Sequence, residues 1–315
     1  MPEQQIVDRL ELLATRQGGL VGYHQALAAG LTIAQLRTLL ACGRWHRVTV
    51  GVFRTPAATG LDPLDEARVR AAWTGLLGVP GAAAVATAAL ALHGVQGLPQ
   101  TIPAEVCLPG GDSRVGPAGV TVRRYRGRLP VRRLHGFPVV TVPVALAQAL
   151  PRLPRVHGVS VLDSALNQRL LRPEGLPEVE RLLRGRRGAR HARRCIALAD
   201  GRAESPLETR ARLCFIDAGH PPTDVQVVFR DRTGRMVARG DLGWQRADGS
   251  WVIAELDGRE EHARPEPLYR DRNRQNLLQT RAGVTMLRFT GDDLRSGAAV
   301  QTLRDALAHP AAKVA

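Results

Sequence analysis

Little in this sequence points to a structure held together by cross-links, a metal or a membrane. Its four cysteines, Cys42, Cys107, Cys195 and Cys214, lie far apart and form no C-x-x-C pair, which argues against a disulfide framework or a structural zinc site. Lys313 is the only lysine, so nearly all the positive charge is arginine. No Asp, Glu, Lys or Arg occurs between Ala71 and Ala104, the stretch with the best claim to a membrane span. Pro80, Gln96, Pro99 and Gln100 interrupt it, however, and its apolar core from Ala82 to Leu92 falls short of the ~20 residues a spanning helix needs, so a buried alanine-rich helix is expected. A secretory signal is also missing, since Met1 to Gln5 carries no basic head and Glu11 breaks the apolar residues around it. A cytoplasmic protein without a membrane partner is expected.

What is present is length and basic charge. A chain of 315 residues accommodates two or three domains, and a net charge of +15 makes a polyanion the default partner. GC-rich coding explains why arginine was used in place of lysine. It does not explain the excess of bases over acids, and the guanidinium fork suits phosphate.

Residues 1–57 are expected to form a small helical unit ending in a β ribbon. Helices are predicted over Ile6–Arg16, Gly22–Ala29 and Ile33–Cys42, with Thr32 capping the third and Gly18, Gly19, Gly30 and Gly43 as stops. "WHRVTVGVFR" follows as an alternating ribbon with a turn at Gly51. This is the order of a winged helix-turn-helix. Gln35, Arg37 and Thr38 would then face the major groove, and Arg44, Arg47 and Arg54 would lie where a wing meets phosphate. A generic three-helix interaction module is the competing reading. "GGLVGYHQALAAGLTIAQLRTLLACGRWHRVTVGVFR" resembles the N-terminal winged-helix domain of AbiEi-type antitoxins of toxin-antitoxin systems. That resemblance implies DNA as partner, with a cognate toxin as a further one.

Residues 58–180 are expected to form a mixed α/β segment, loosely similar to the one that follows the winged helix in AbiEi-like proteins. A buried helix within Pro80–Gly97, strands in "AEVCLPGG" and "GVTVRRYRG", and a strand-to-helix step in "GFPVVTVPVALAQAL" are predicted. Residues 181–200 hold "RLLRGRRGARHARR", seven arginines without an acid, which is either a solvated linker starting a helix or an electrostatic rail for nucleic acid.

Residues 201–315 carry the densest pattern. Ser205, Pro206 and Glu208 spell a helix start in which Glu208 at N3 is placed to close a capping box. Strands are predicted over Val225–Phe229, Met236–Trp244 and Trp251–Asp257, then a helix from Pro267 to Ala282, a strand "VTMLRF" and a last helix from Asp292 to Ala308. Alternation puts Glu255 and Asp257 on one side of their strand. A hairpin turning at Asp248-Gly249 sets Asp241 across from Glu255, and opposed carboxylates repel unless a cation intervenes. Mg²⁺ would relieve that repulsion and would also serve phosphodiester hydrolysis. The alternative is an exposed hairpin whose acids are solvated or paired with arginines.

"ESPLETRARLCFIDAGHPPTDVQVVF", "GRMVARGDLGW", "VIAELDGREEH" and "YRDRNRQNLLQTRAGVTMLRFTGDDL" resemble a domain related to very-short-patch repair endonucleases, within the restriction-endonuclease-like PD-(D/E)xK superfamily. The resemblance implies an α-βββ-α-β nuclease core with Mg²⁺ or Mn²⁺ held by Asp241 and Glu255 and reached by Glu208. The sequence departs from the superfamily at Asp257, a position that usually holds lysine; the related domain family commonly has this E-x-D-G form with a downstream histidine, which implies His262 as proton carrier or phosphate contact. Arg270, Arg274 and Arg281 fall near one helix face, either holding DNA or pairing with neighbouring acids. The whole chain is therefore expected to be a multi-domain α/β protein: a DNA-binding protein with an endonuclease domain, or a regulator of the antitoxin type with a degenerate nuclease fold. A homodimer would suit both classes, though no residue pattern shows one.

Overall fold

The computed structural model describes residues 2–308 apart from 113, 126, 128, 231–232 and 258–283. It is a mixed α/β protein that divides into two compact units, one of residues 1–161 and 169–197, the other of residues 162–168 and 198–315. No described helix is long and apolar enough to cross a membrane.

The first unit begins with helix α1 (Glu3–Thr15), strand β1 (Leu20–Gly22), α2 (Tyr23–Ala28), α3 (Ile33–Ala41), β2 (His46–Thr49) and β3 (Val52–Arg54). The three strands pair antiparallel in the order β1-β3-β2. Thr32 caps α3 by accepting the Gln35 N–H, and Gln35 returns the bond to the Thr32 N–H, so the expected cap is a full capping box. Val7, Leu10, Leu36, Leu39, Trp45 and Phe53 close a core of their own. The strand β1 was not anticipated: three residues between two glycine stops and a helix are too short to show a period.

The same unit continues with α4 (Pro63–Gly78), β4 (Ala83–Ala84), α5 (Ala86–Leu92), β5 (Ala104–Cys107), β6 (Val120–Arg123), β7 (Val131–Leu134), β8 (Phe137–Val140), α6 (Val142–Ala149), α8 (Leu176–Leu182) and α9 (Ala189–Ala197), and includes α7 (Arg155–Asn167) as far as Val161, the rest of that helix belonging to the second unit. Its five strands run β6-β5-β4-β8-β7. The helix expected within Pro80–Gly97 is real and buried, but shorter, because β4 takes up Ala83 and Ala84. The arginine-rich stretch is folded: Ala192, Cys195 and Ile196 of α9 are buried, Arg190, Arg193 and Arg194 are exposed, and the Arg186 guanidinium lies 5.7 Å from the Tyr125 ring centroid.

The second unit contains α10 (Pro206–Asp217), β9 (Asp224–Arg230), β10 (Met236–Gln245), β11 (Trp251–Asp257), β12 (Val284–Thr290), α11 (Gly291–Ser296) and α12 (Ala298–Ala308). Its sheet runs β12-β11-β10-β9, with β9, β10 and β11 antiparallel in sequence and β12 parallel to β11. Phe215 of α10 packs edge-on against Trp244 at 5.0 Å, and Val225, Leu242, Val252, Ala254, Phe289 and Leu303 complete that core. The expected last helix is broken into two at Gly297, which adopts φ +82°.

Candidate functional site

The site is built from register. The hairpin of β10 and β11 centres on Asp248, as the pairs Gln245↔Trp251 and Leu242↔Ala254 show, and Gly249 turns it at φ +82°. Pairing stops at Leu242↔Ala254, one step before Asp241 and Glu255 would face each other. There the Asp241 carboxylate takes over and accepts the Leu256 N–H at 2.8 Å. Opposed like charges make that last backbone step unfavourable, which accounts for the handover.

On the other side, β9 pairs with β10 through Gly240↔Val227 and Leu242↔Val225, so Gln226 stands opposite Asp241 in the gap between them. Glu255 pairs in register with Arg288 of β12 and forms a 3.2 Å ion pair with it. One row therefore crosses all four strands: Gln226, Asp241, Glu255, Arg288. Glu208 joins it from the first turn of α10, where its carboxylate accepts the Gln226 amide N–H at 2.8 Å and the Glu204 N–H at 2.9 Å. Ser205 caps the helix through the Glu208 N–H, but the Glu208 side chain does not close the expected box; it reaches toward the row.

Burial raises the proton affinity of Glu208, and the nearby charge of Asp241 raises it further, against the Glu204 N–H, which lowers it. Asp241 is likewise raised, by burial first, against the Leu256 N–H, Arg239 and Gln226, which all lower it. Two carboxyls whose charged forms are disfavoured by their surroundings form a site that favours a cation. Among the described residues no three His, Cys, Asp or Glu side chains converge on a single point that would hold a metal. The donor set nevertheless fits Mg²⁺, which keeps several waters and needs only one or two carboxylates from the protein. The Gln226 Oε1 is buried and has no hydrogen-bond partner among the described residues, an arrangement that costs ~1–3 kcal/mol when nothing answers it.

Asp257 lies half-buried at the end of β11, in register with Thr290. His262, Arg270, Arg274 and Arg281, with the helix expected over Pro267–Ala282, lie outside the described residues. Gln226 and Arg288 were missed by the sequence reading. A lone glutamine in "DVQVVF" carries no motif, and Arg288 is aligned with Glu255 only by the parallel crossover.

The helix α10 that presents Glu208 is anchored from below. Asp163 accepts from the Thr209 hydroxyl at 2.8 Å, from Arg212 at 2.8 Å and from the Asp200 N–H at 2.6 Å, while Arg212 also donates to the Leu198 carbonyl.

In the first unit, Arg44, His46, Arg47 and Arg54 line a surface depression of about 640 Å³. Arg47 and Arg54 are exposed, and Arg37 and Thr38 are exposed on α3. Two of the expected DNA contacts are engaged inside the protein. Arg44 forms a two-pronged pair with Glu11 of α1 at 2.9 and 3.1 Å, and Glu11 also accepts the Trp45 indole N–H. Gln35 spends its oxygen on Thr32 and its nitrogen on Glu3 at 3.1 Å. Both are short of free donors for DNA because they hold α1 and α3 in place.

No protein-family model matches this chain. Two curated relatives, both described as uncharacterized proteins, come from Mycobacterium tuberculosis strains CDC 1551 / Oshkosh and ATCC 25618 / H37Rv. Each is 33% identical over 182 residues, covering 56% of this chain and 60% of the relative. The chain thus spans about three-fifths of the length of the relatives it matches.

Proposed function

We propose that this is a DNA-binding protein whose second unit is a metal-dependent endonuclease, acting in defence, toxin-antitoxin or DNA-repair chemistry. The observation that carries the reading is the row of Gln226, Asp241, Glu255 and Arg288 across the sheet, met by Glu208 from α10. The order of elements, a helix, three antiparallel strands and a fourth strand parallel to the third, supports a restriction-endonuclease-like scaffold. In the first unit, three helices with a β1-β3-β2 sheet and an exposed Arg47 and Arg54 support a winged helix-turn-helix that grips phosphate.

In this reading Glu208 and Asp241 hold Mg²⁺ or Mn²⁺, with Glu255 next in line. When bound there, the ion supplies polarisation of a phosphoryl oxygen and a lower pKa for a coordinated water. In this reading Glu255 serves as the proton acceptor, with Arg288 paired to its Oε2 at 3.2 Å and orienting the carboxylate. Arg288 is partly exposed and always charged, and in this reading it also meets the negative charge that develops on the phosphate, Lys313 being the only lysine in the sequence.

A second reading is favoured by one observation, the ion pair of Glu255 with Arg288, which supplies this acid with a counter-charge from the protein itself. In that reading the protein is a regulator of the antitoxin type with a degenerate nuclease scaffold. Incubating duplex, nicked, mismatched and single-stranded DNA with wild type and Asp241→Ala, in Mg²⁺, Mn²⁺ or EDTA, separates the two. The nuclease reading expects cleavage that EDTA and the substitution both abolish while DNA binding persists. Salt-sensitive binding without cleavage by the wild type on any substrate supports the regulator.

A further inference from the structure

We infer that Gln226 is the positioning residue of the carboxylate site, holding Glu208 with its amide nitrogen and presenting its amide oxygen to the bound cation. The inference rests on the endonuclease reading above and assigns to it a residue that no motif names.

Several features of the fold meet at Gln226. Among the described non-glycine residues only Ala86, His135, Arg169 and Gln226 have positive φ, and Gln226, at +54°, is the one that lies inside a strand. A left-handed residue interrupts a ladder and is rare for a side chain of this size unless the surroundings hold it there. The interruption falls opposite Asp241, between the pairs Val225↔Leu242 and Val227↔Gly240. The amide meets one acid directly, its Nε2 donating to Glu208 at 2.8 Å, and stands opposite the other, Asp241, across the interrupted ladder.

Carboxylates only accept, so the NH₂ end of the amide must face them. The oxygen end is left buried, with no donor among the described residues. A backbone distorted to bring an amide between two carboxylates, with its oxygen unanswered, is poorly explained as packing. An aliphatic side chain would fill the space without leaving a buried oxygen unpaired. A hard cation that takes oxygen ligands answers that oxygen and the two carboxylates together.

The test is Mn²⁺ binding to the full chain, followed by electron paramagnetic resonance of the free ion and by calorimetry. Wild type is compared with Gln226→Leu, Gln226→Gly and Asp241→Asn. Glycine tolerates the left-handed backbone, so Gln226→Gly removes the amide without conformational strain and stays informative if the leucine variant does not fold. Both Gln226 variants are expected to fold, to retain DNA binding and to bind Mn²⁺ about 10- to 100-fold more weakly, the range for residues that orient metal ligands. Wild-type affinity in both Gln226 variants, with Asp241→Asn impaired, overturns the inference and leaves the nuclease reading standing. A wild type that binds no Mn²⁺, or binds it undiminished in Asp241→Asn, overturns both.

Discussion

Replacing Arg212 by leucine tests how the fold holds the site. Arg212 and Asp163 are buried together, with side chains 8% and 1% exposed, at 2.8 Å. The leucine keeps the bulk of the stem but leaves the Asp163 carboxylate with only the Thr209 hydroxyl and the Asp200 N–H. Breaking a buried pair by removing one partner costs about 3–5 kcal/mol, because a charge remains without compensation. At a few degrees per kcal/mol for a unit of this size, the melting temperature of the second unit should fall by about 10–20 °C. Hydrogen exchange read by mass spectrometry should show the loss first in residues 206–217, since Thr209 and Arg212 tie α10 to Asp163. A double variant, Asp163→Leu with Arg212→Leu, should lose less than the two single variants together, because no unpaired charge remains, although the Thr209 hydroxyl and the Asp200 N–H lose their acceptor. A loss below about 1 kcal/mol in the single variant, or a double variant worse than the sum of the singles, would refute the reasoning.

Other outcomes follow from the same geometry. Gly240 of β10 admits no side chain, since a Cβ there collides with Cγ2 of Ile253, so Gly240→Ala should lose about 1–3 kcal/mol in chemical denaturation. The shifts of Glu208 and Asp241 are upward, so the stability they contribute is full below the ordinary carboxylate range and is lost as pH rises through their folded values. Asp241→Asn should therefore raise the melting temperature at pH 7 and converge with wild type toward pH 4; a constant offset at all pH values would contradict this. In DNA binding, Arg47→Ala with Arg54→Ala should flatten the slope of log affinity against log salt by about two, at ~0.9 per phosphate contact. Arg44→Ala should mainly lower thermal stability, because it releases Glu11, and an effect on the salt slope alone would show that Arg44 faces DNA.

The parts of the fold that were legible in the sequence are those specified locally. Thr32 before Ile33, Ser205 followed by Pro206, and Asp248 followed by Gly249 each announce a boundary within a few residues, and each appears in the structure. Counting equally from Asp248 found the hairpin register, which the ladder follows as far as Leu242 and Ala254. Gln226 was illegible because its neighbours favour an extended strand, and only tertiary packing holds φ at +54°. Arg288 was illegible because a parallel partner is fixed by the whole crossover, with no turn to count from. The engagement of Gln35 and Arg44 was hidden for a similar reason: Glu3 and Glu11 lie a full helix and loop away in sequence.

The central claim, that the carboxylate row hydrolyses DNA, is tested most directly by nicking of supercoiled plasmid under excess protein. The measurement compares wild type with a folded Asp241→Asn in Mg²⁺, with EDTA as control. The account predicts relaxed plasmid from the wild type in Mg²⁺ alone and none from the variant, with equal plasmid retention by both. Nicking by Asp241→Asn at the wild-type rate, or nicking that survives EDTA, would contradict it.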